Sequence, residues 1–188
     1  MLRDLILKNR SIRRFQENTH IELNILHELV DLARMSASGA NKQPLKYLCS
    51  NTRETNDIIF PSLGWAGYLK DWKGPAEGER PAAYIVICND TTIKPNPGVD
   101  HGIAAQSILL GAAERGIGGC MIGNVAALTV KKNLGLEDHL EIVLVIALGI
   151  PSEEVVLEDI GDDNDIRYYR DEKDVHHVPK RALKDILL

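Results

Sequence analysis

The sequence predicts one soluble domain of mixed helices and strands, built around two buried strands and one buried helix. Ala82–Cys88 (AAYIVIC) and Ile142–Ile150 (IVLVIALGI) are continuous apolar runs of strand length, the pattern of central strands covered on both faces. Asp100–Arg115 (DHGIAAQSILLGAAER) is small and apolar nearly all the way round, as expected of a helix buried on most sides. A chain of 188 residues fits one hydrophobic core, and no repeat or linker divides it. So short a chain seldom wraps a helix completely, which points to a subunit interface.

The remaining elements follow in order. Apolar residues at positions 2, 5 and 6 predict a short helix from Leu2 to about Asn9, ending at a basic patch. Thr19, with Glu22 three residues on, reads as an N-cap opening a helix to about Met35, whose Leu23, Leu26, Leu29, Val30 and Ala33 repeat at helical spacing. Ser36–Pro44 (SASGANKQP) is a loop by composition. Leu45–Ser50 reads as a strand and Arg53–Phe60 as a weaker helix. Between Pro61 and Pro81 fall four of the fifteen glycines, three prolines and both tryptophans, an irregular segment anchored by aromatic rings. Val125–Leu134 reads as a helix. The stretch from Gly161 to Val178 offers short strand candidates at Arg167–Arg170 and His176–Val178. It is too poor in apolar residues for a core of its own and should lie on another surface. A last helix is expected over Arg181–Leu188.

Composition removes several function classes. With 44% hydrophobic and 26% charged residues the chain is neither disordered nor low-complexity. No apolar run is long enough to span a membrane, and the N-terminus lacks a signal-peptide core, so the expected compartment is the cytoplasm. A net charge of −5 argues against nucleic acid as a partner. Residues 1–50 nevertheless carry +3 against −8 for the rest, leaving room for a local anion site. Cys49, Cys88 and Cys120 show no CxxC spacing, and the six histidines show no ligand spacing, so no metal is expected. GxGxxG, GxxxxGK[ST], HExxH and GxSxG are all absent.

Two segments carry candidate chemistry. Arg10-Ser11-Ile12-Arg13-Arg14-Phe15 sets three guanidinium groups and a hydroxyl within five residues, with Ile12 and Phe15 as anchors. Such forks suit an anion, although a solvated charge run that caps a helix has the same composition. Ser38-Gly39-Ala40-Asn41-Lys42-Gln43-Pro44 combines small residues with Asn and Gln amides, equipment for reading the edge of a flat ring; an ordinary helix-to-strand turn is the alternative.

Taken together these motifs resemble the nitroreductase family of flavoproteins. Arg10, Ser11, Arg13 and Phe15 match its RxSxRxF segment, and Ser38, Asn41, Gln43 and Pro44 its PSxxNxQPW segment. Ala105-Gln106, the run Gly116–Gly123 (GIGGCMIG) and Leu148-Gly149-Ile150-Pro151 are similar to its later motifs, in the same order. Asn9 stands where many members carry a further arginine, and Leu45 where a Trp is common.

The resemblance implies an α+β nitroreductase-like fold, a central, mainly antiparallel sheet flanked by helices, in an intertwined homodimer. Residues 1–188 would form one FMN-binding domain, with about 152–188 wrapping the partner subunit. It implies FMN as cofactor, with Arg10, Ser11, Lys180 and Arg181 at its phosphate and Arg13 near N1/O2. Ser38, Asn41 and Gln43 would lie at the isoalloxazine region, with Ile122 and Gly123 offering backbone groups near N5. NADH or NADPH would donate hydride and a nitroaromatic, quinone or similar small-molecule acceptor would take it in ping-pong order. No side chain need serve as catalytic acid or base. A non-catalytic flavin-binding or sensor protein keeps the same residues without turnover. An anion-binding module without flavin would need only the arginine cluster.

Overall fold

The computed structural model describes residues 1–161 and 164–188; positions 162 and 163 of the acidic stretch lie outside the described residues. Five helices, α1 (Leu2–Lys8), α2 (Leu23–Arg34), α3 (Arg53–Ile59), α4 (Asp100–Glu114) and α5 (Ala127–Leu134), flank the main sheet. That sheet comprises β1 (Leu45–Ser50), β2 (Ala83–Asp90), β3 (Gly118–Ile122) and β4 (Leu140–Gly149), in the order β1-β2-β4-β3 with every pairing antiparallel.

All eight residues of β2 are buried, as are the last six of β4. Alternation along β2 sends Ile85 and Ile87 into one apolar layer with α2 and α4, and Tyr84, Val86 and Cys88 into a second with α3 and α5. The sequence shows no alternation here because both faces are covered.

The N-terminal segment completes the sheet edge. Ile12 N–H donates to the Gly119 carbonyl at 3.0 Å, Ser11 forms a parallel bridge with Gly119, and Phe15 bridges Pro151. Phe15 is fully buried against Gly149, where an added Cβ would stand 2.7 Å from the phenyl ring. Ile12 and Phe15 are thus the anchors their apolar character suggests, and they fix the arginines between them along β3.

Beyond Pro151 the chain forms a second sheet, β5 (Val155–Asp159), β6 (Tyr169–Arg170) and β7 (His176–Lys180), in the order β5-β7-β6. Val155 packs against the second apolar layer, and the rest of this sheet attaches through rings and charges. Tyr168 packs on Tyr68 at 4.9 Å between centroids, and Arg170 covers Trp72 at 4.5 Å. Trp72 meets Trp65 edge-on at 6.4 Å. Both tryptophans of the 61–81 segment therefore work as anchors. Gly74 lies there at φ +120°, and a Cβ would come within 2.6 Å of Trp65.

Three local expectations need correction. Glu22, not Thr19, is the N-cap of α2; the Thr19 hydroxyl instead donates to Gln16 Oε1 at 3.3 Å, because residues 16–19 turn before the helix begins. The C-terminal helix over Arg181–Leu188 is one 3-10 turn, Leu183–Asp185, with no buried residue and therefore no packing to extend it. Helix α4 is buried on one face only, through Ala104, Ala105, Ile108, Leu109 and Ala112, while Ile103 and Val99 at its start are exposed.

Phe15→Ala should lower unfolding free energy by about 3–5 kcal/mol, measured as a reduced urea midpoint, because it empties the joint between the N-terminal segment and β4. Leu128→Ala on the exposed face of α5 should change the midpoint by less than about 0.5 kcal/mol equivalent.

Candidate functional site

The three arginines of the N-terminal segment have different surroundings. Arg14 is consumed by structure: it forms an ion pair with Glu79 at 3.4 Å and a close one with Asp174 of the tail. Arg10 and Arg13 have no ion pair among the described residues. Arg10 donates to the Ile6 carbonyl at 2.7 Å, but its Nε is buried without a protein partner. Arg13 Nη1 lies 3.2 Å from the Ser11 carbonyl, and its guanidinium covers the Tyr168 ring at 5.0 Å. The Ser11 side chain is exposed beside them.

A network invisible in the sequence holds this segment. The Glu153 side chain is 2% exposed, and its carboxylate accepts from Arg14 N–H at 3.1 Å, from Arg13 N–H, and from Arg170 Nη2 at 2.8 Å. A carboxylate so enclosed needs several donors. His176, buried in the same cluster, places Nε2 3.4 Å from Arg13 Nη1 and its ring 5.3 Å from Tyr168. Guanidinium only donates, so Nε2 must accept and the imidazole is neutral. Burial, followed by the Arg13 charge, pushes its pKa down to about 4.

At the end of β3, Ile122 is buried while Gly123 is exposed, with open space where a Cβ would stand. Arg10, Ser11, Arg13, Ile122 and Gly123 therefore share one edge of the sheet. Lys180 and Arg181 are exposed, at the far end of β7 from His176, and no hydrogen bond or ion pair among the described residues joins them to Arg10, Ser11 or Arg13.

The Ser38–Gln43 loop precedes β1 at the other edge. Asp100, buried at the start of α4, accepts from the Ser38 hydroxyl at 2.6 Å and from Gly39 N–H at 2.9 Å, which hold its pKa below the usual carboxylate range. Ser38 Oγ in turn accepts from Gln43 N–H at 2.9 Å. Ala40, Asn41 and Gln43 all take positive φ, 50–53°, a costly conformation for non-glycine residues that these bonds enforce. The amides of Asn41 and Gln43 are presented outward. Asp100 escaped the sequence reading although its place in the first turn of a helix suits a carboxylate.

One chain does not bring the two halves together. Leu45 pairs with Asn89, whereas Gly119 reaches β2 through Leu148 at Ala83. The halves therefore differ by three strand spacings across the sheet and six residues along it, a diagonal of about 25 Å. Helix α4 gives a second ruler: its start holds Ser38, its end leads into β3, and its 15 residues span about 22 Å.

Comparison with known proteins bears on this arrangement. The Nitroreductase family model matches residues 76–150, from the end of the tryptophan segment through β4. Nitroreductase A from Vibrio parahaemolyticus is 25% identical, with a TM-score of 0.65 over 86% of this chain and 73% of that one. The NADPH:FMN oxidoreductase from Vibrio harveyi, in complex with NAD+, is 25% identical, with a TM-score of 0.62 over 81% and 69%. A nitroreductase family protein from Streptococcus pneumoniae, 15% identical, shares the fold at a TM-score of 0.68 over 82% and 92%. The α+β nitroreductase fold expected from the sequence is thus the one observed. The Arg10–Phe15 and Ser38–Pro44 motifs lie outside the matched residues, at two corners of that fold.

His176 makes stability depend on pH with a definite sign. Its folded pKa lies below the ordinary 6.5, so protonation favours the unfolded chain. Stability from this site should be complete above about pH 6.5 and decline as pH falls towards 4. Urea midpoints measured between these values should show a shallower decline in His176→Gln than in the parent protein.

Proposed function

We propose that the protein is an FMN-dependent oxidoreductase that carries hydride from NADH or NADPH to a nitroaromatic, quinone or similar small acceptor, as a homodimer with two sites. The observation that carries this reading is the pair of guanidiniums, Arg10 and Arg13, free of carboxylates along β3 while the neighbouring Arg14 is neutralised. Among the related structures, the Vibrio harveyi protein is by name an NADPH:FMN oxidoreductase.

The residues present fit such a group. Arg10 has a buried Nε with no protein partner, Ser11 an exposed hydroxyl, and Gly123 leaves room for a flat ring beside the β3 backbone. FMN, when bound, supplies the acceptance and release of hydride. Arg10 and Ser11 would hold its phosphate, with Lys180 and Arg181. Arg13 would place positive charge near N1/O2, and Ile122 and Gly123 would present backbone groups near N5. His176, neutral and accepting from Arg13, orients that guanidinium.

Ser38, Asn41 and Gln43 would contact the ring, yet in one chain the strand positions beside the two segments, Leu45 and Gly119, stand about 25 Å apart, beyond the length of an isoalloxazine. The site is therefore assembled in trans, with the arginine segment of one protomer facing the Ser38–Gln43 loop of its partner. The exposed apolar residues suit the same assembly: Ile103 and Val99 at α4, and Leu183, Ile186, Leu187 and Leu188 at the terminus. The last eight residues, unsupported by their own chain, would lie on the partner. Residues 1–188 then act as one FMN-binding domain. No helix of the described residues is long and apolar enough to cross a membrane.

The purified protein should carry about one FMN per chain, identified after denaturation, and should oxidise NADH or NADPH when an acceptor is added. Absence of flavin even after reconstitution contradicts the reading; flavin without turnover leaves a binding or sensor protein. Arg10→Ala should weaken FMN binding by about 10- to 150-fold, the loss of a charge-assisted contact worth roughly 1.5–3 kcal/mol. Arg13→Ala should chiefly lower the midpoint potential, because charge at N1/O2 is felt more by the reduced cofactor. Equal losses of affinity with an unchanged potential would make the whole segment a phosphate clamp.

A further inference from the structure

A polar cavity of about 330 Å³ opens where β1 and β2 end near α3, and none of the residues assigned above to the cofactor lines it. Its floor holds two polar groups that the protein leaves unmatched. Tyr84 is fully buried, and its hydroxyl has no protein partner. Tyr84 lines the cavity together with Glu17, Arg80 and Asp57, the charges that act on its phenol. Burial pushes its pKa well up, which keeps it a protonated donor.

The second group is Arg80. Its guanidinium is held flat over the Phe60 ring at 4.6 Å, Nε is buried without a partner, and no described carboxylate forms an ion pair with it. Two other polar groups of the lining are already engaged. Asn56 donates to the Ala82 carbonyl at 2.9 Å and accepts from Ser50 at 2.6 Å. Glu17 accepts from the backbone N–H groups of Gly78, at 2.5 Å, and Arg80, at 3.3 Å.

Two unmatched donors in one lining, one of them a cation, call for a small anionic acceptor. The lining also sets a limit on charge. Glu17, Asp57 and Glu77 line the same cavity, and Arg53, which could offset them, is 87% exposed and pairs with Asp57 at 3.7 Å. These carboxylates would oppose phosphate, largely dianionic at neutral pH, about twice as strongly as a single carboxylate. We infer that this cavity binds a small organic monocarboxylate, held by the Arg80 guanidinium and the Tyr84 hydroxyl. The assignment is independent of the flavin site.

Calorimetric titration of the intact protein with sodium propionate tests it, with inorganic phosphate and propylamine hydrochloride as controls at matched ionic strength. Propionate should bind saturably at one site per chain, at least tenfold more tightly than phosphate, while propylamine gives no saturable heat. Tyr84→Phe keeps the ring and removes only the hydroxyl, and should weaken propionate binding at least tenfold. Arg80→Gln should abolish it; should that variant not fold, Tyr84→Phe decides alone. No saturable uptake, unchanged affinity in Tyr84→Phe, or phosphate binding as tightly as propionate would overturn the inference, leaving a cavity that serves only to hydrate these groups. The readout does not involve FMN, so this result and that of the flavin test are separable.

Discussion

The antiparallel pairing of β2 with β4 is the interaction on which the rest of the molecule depends. Both strands run through the middle of the sheet, β2 buried throughout and β4 over its last six residues, so α2 and α4 must cover one face and α3 and α5 the other. That leaves β1 and β3 as edges. Each edge is finished by a candidate site segment, the Ser38–Gln43 loop at β1 and the Arg10–Phe15 segment at β3. Their separation follows from strand number and register. A cofactor needing both segments around one ring needs two chains, and obligate association of that kind links cofactor affinity to protomer association.

A second dependency runs through the tail. Its strands carry few apolar residues, and attachment falls to Glu153, Arg170, Asp174, Tyr168 and His176, all engaged with Arg13, Arg14 or the tryptophan segment. The buried Glu153 carboxylate is satisfied by donors from two distant parts of the sequence, so removing either part leaves a desolvated charge. This arrangement couples folding of the tail to the orientation of Arg13, the cation proposed to sit beside the reacting ring. Preorganisation of that kind favours charge developing in a reaction over charge already present.

Strong local patterns made much of the fold legible. The runs Ala82–Cys88 and Ile142–Ile150 could only be buried strands, and the periodicity of Leu26, Leu29 and Ala33 fixed α2. Thr19 misled because a sequence-level capping box ignores the preceding turn, and the last eight residues misled because an apolar run without a packing surface does not hold a helix. The candidate site was legible where the motif is contiguous. Asp100, Glu153, Tyr168 and His176 were not, because each acts across 60 to 160 residues of chain, with no spacing to signal it. The resemblance implies a shared dimer, but which halves the proposed site takes from each chain depends on strand order, which sequence pattern does not specify.

Mixing two inactive chains tests the central claim most directly. One chain carries Arg10→Ala with Arg13→Ala and keeps the Ser38–Gln43 loop; the other carries Asn41→Ala with Gln43→Ala and keeps the arginines. Neither homodimer should retain FMN tightly. After co-refolding at equal concentrations, a trans site gives every mixed dimer one fully native and one doubly impaired site, so about a quarter of all sites should recover FMN with the parent affinity. Recovery of none, with mixed dimers shown to form, would place both halves of the site in the same chain and contradict the account.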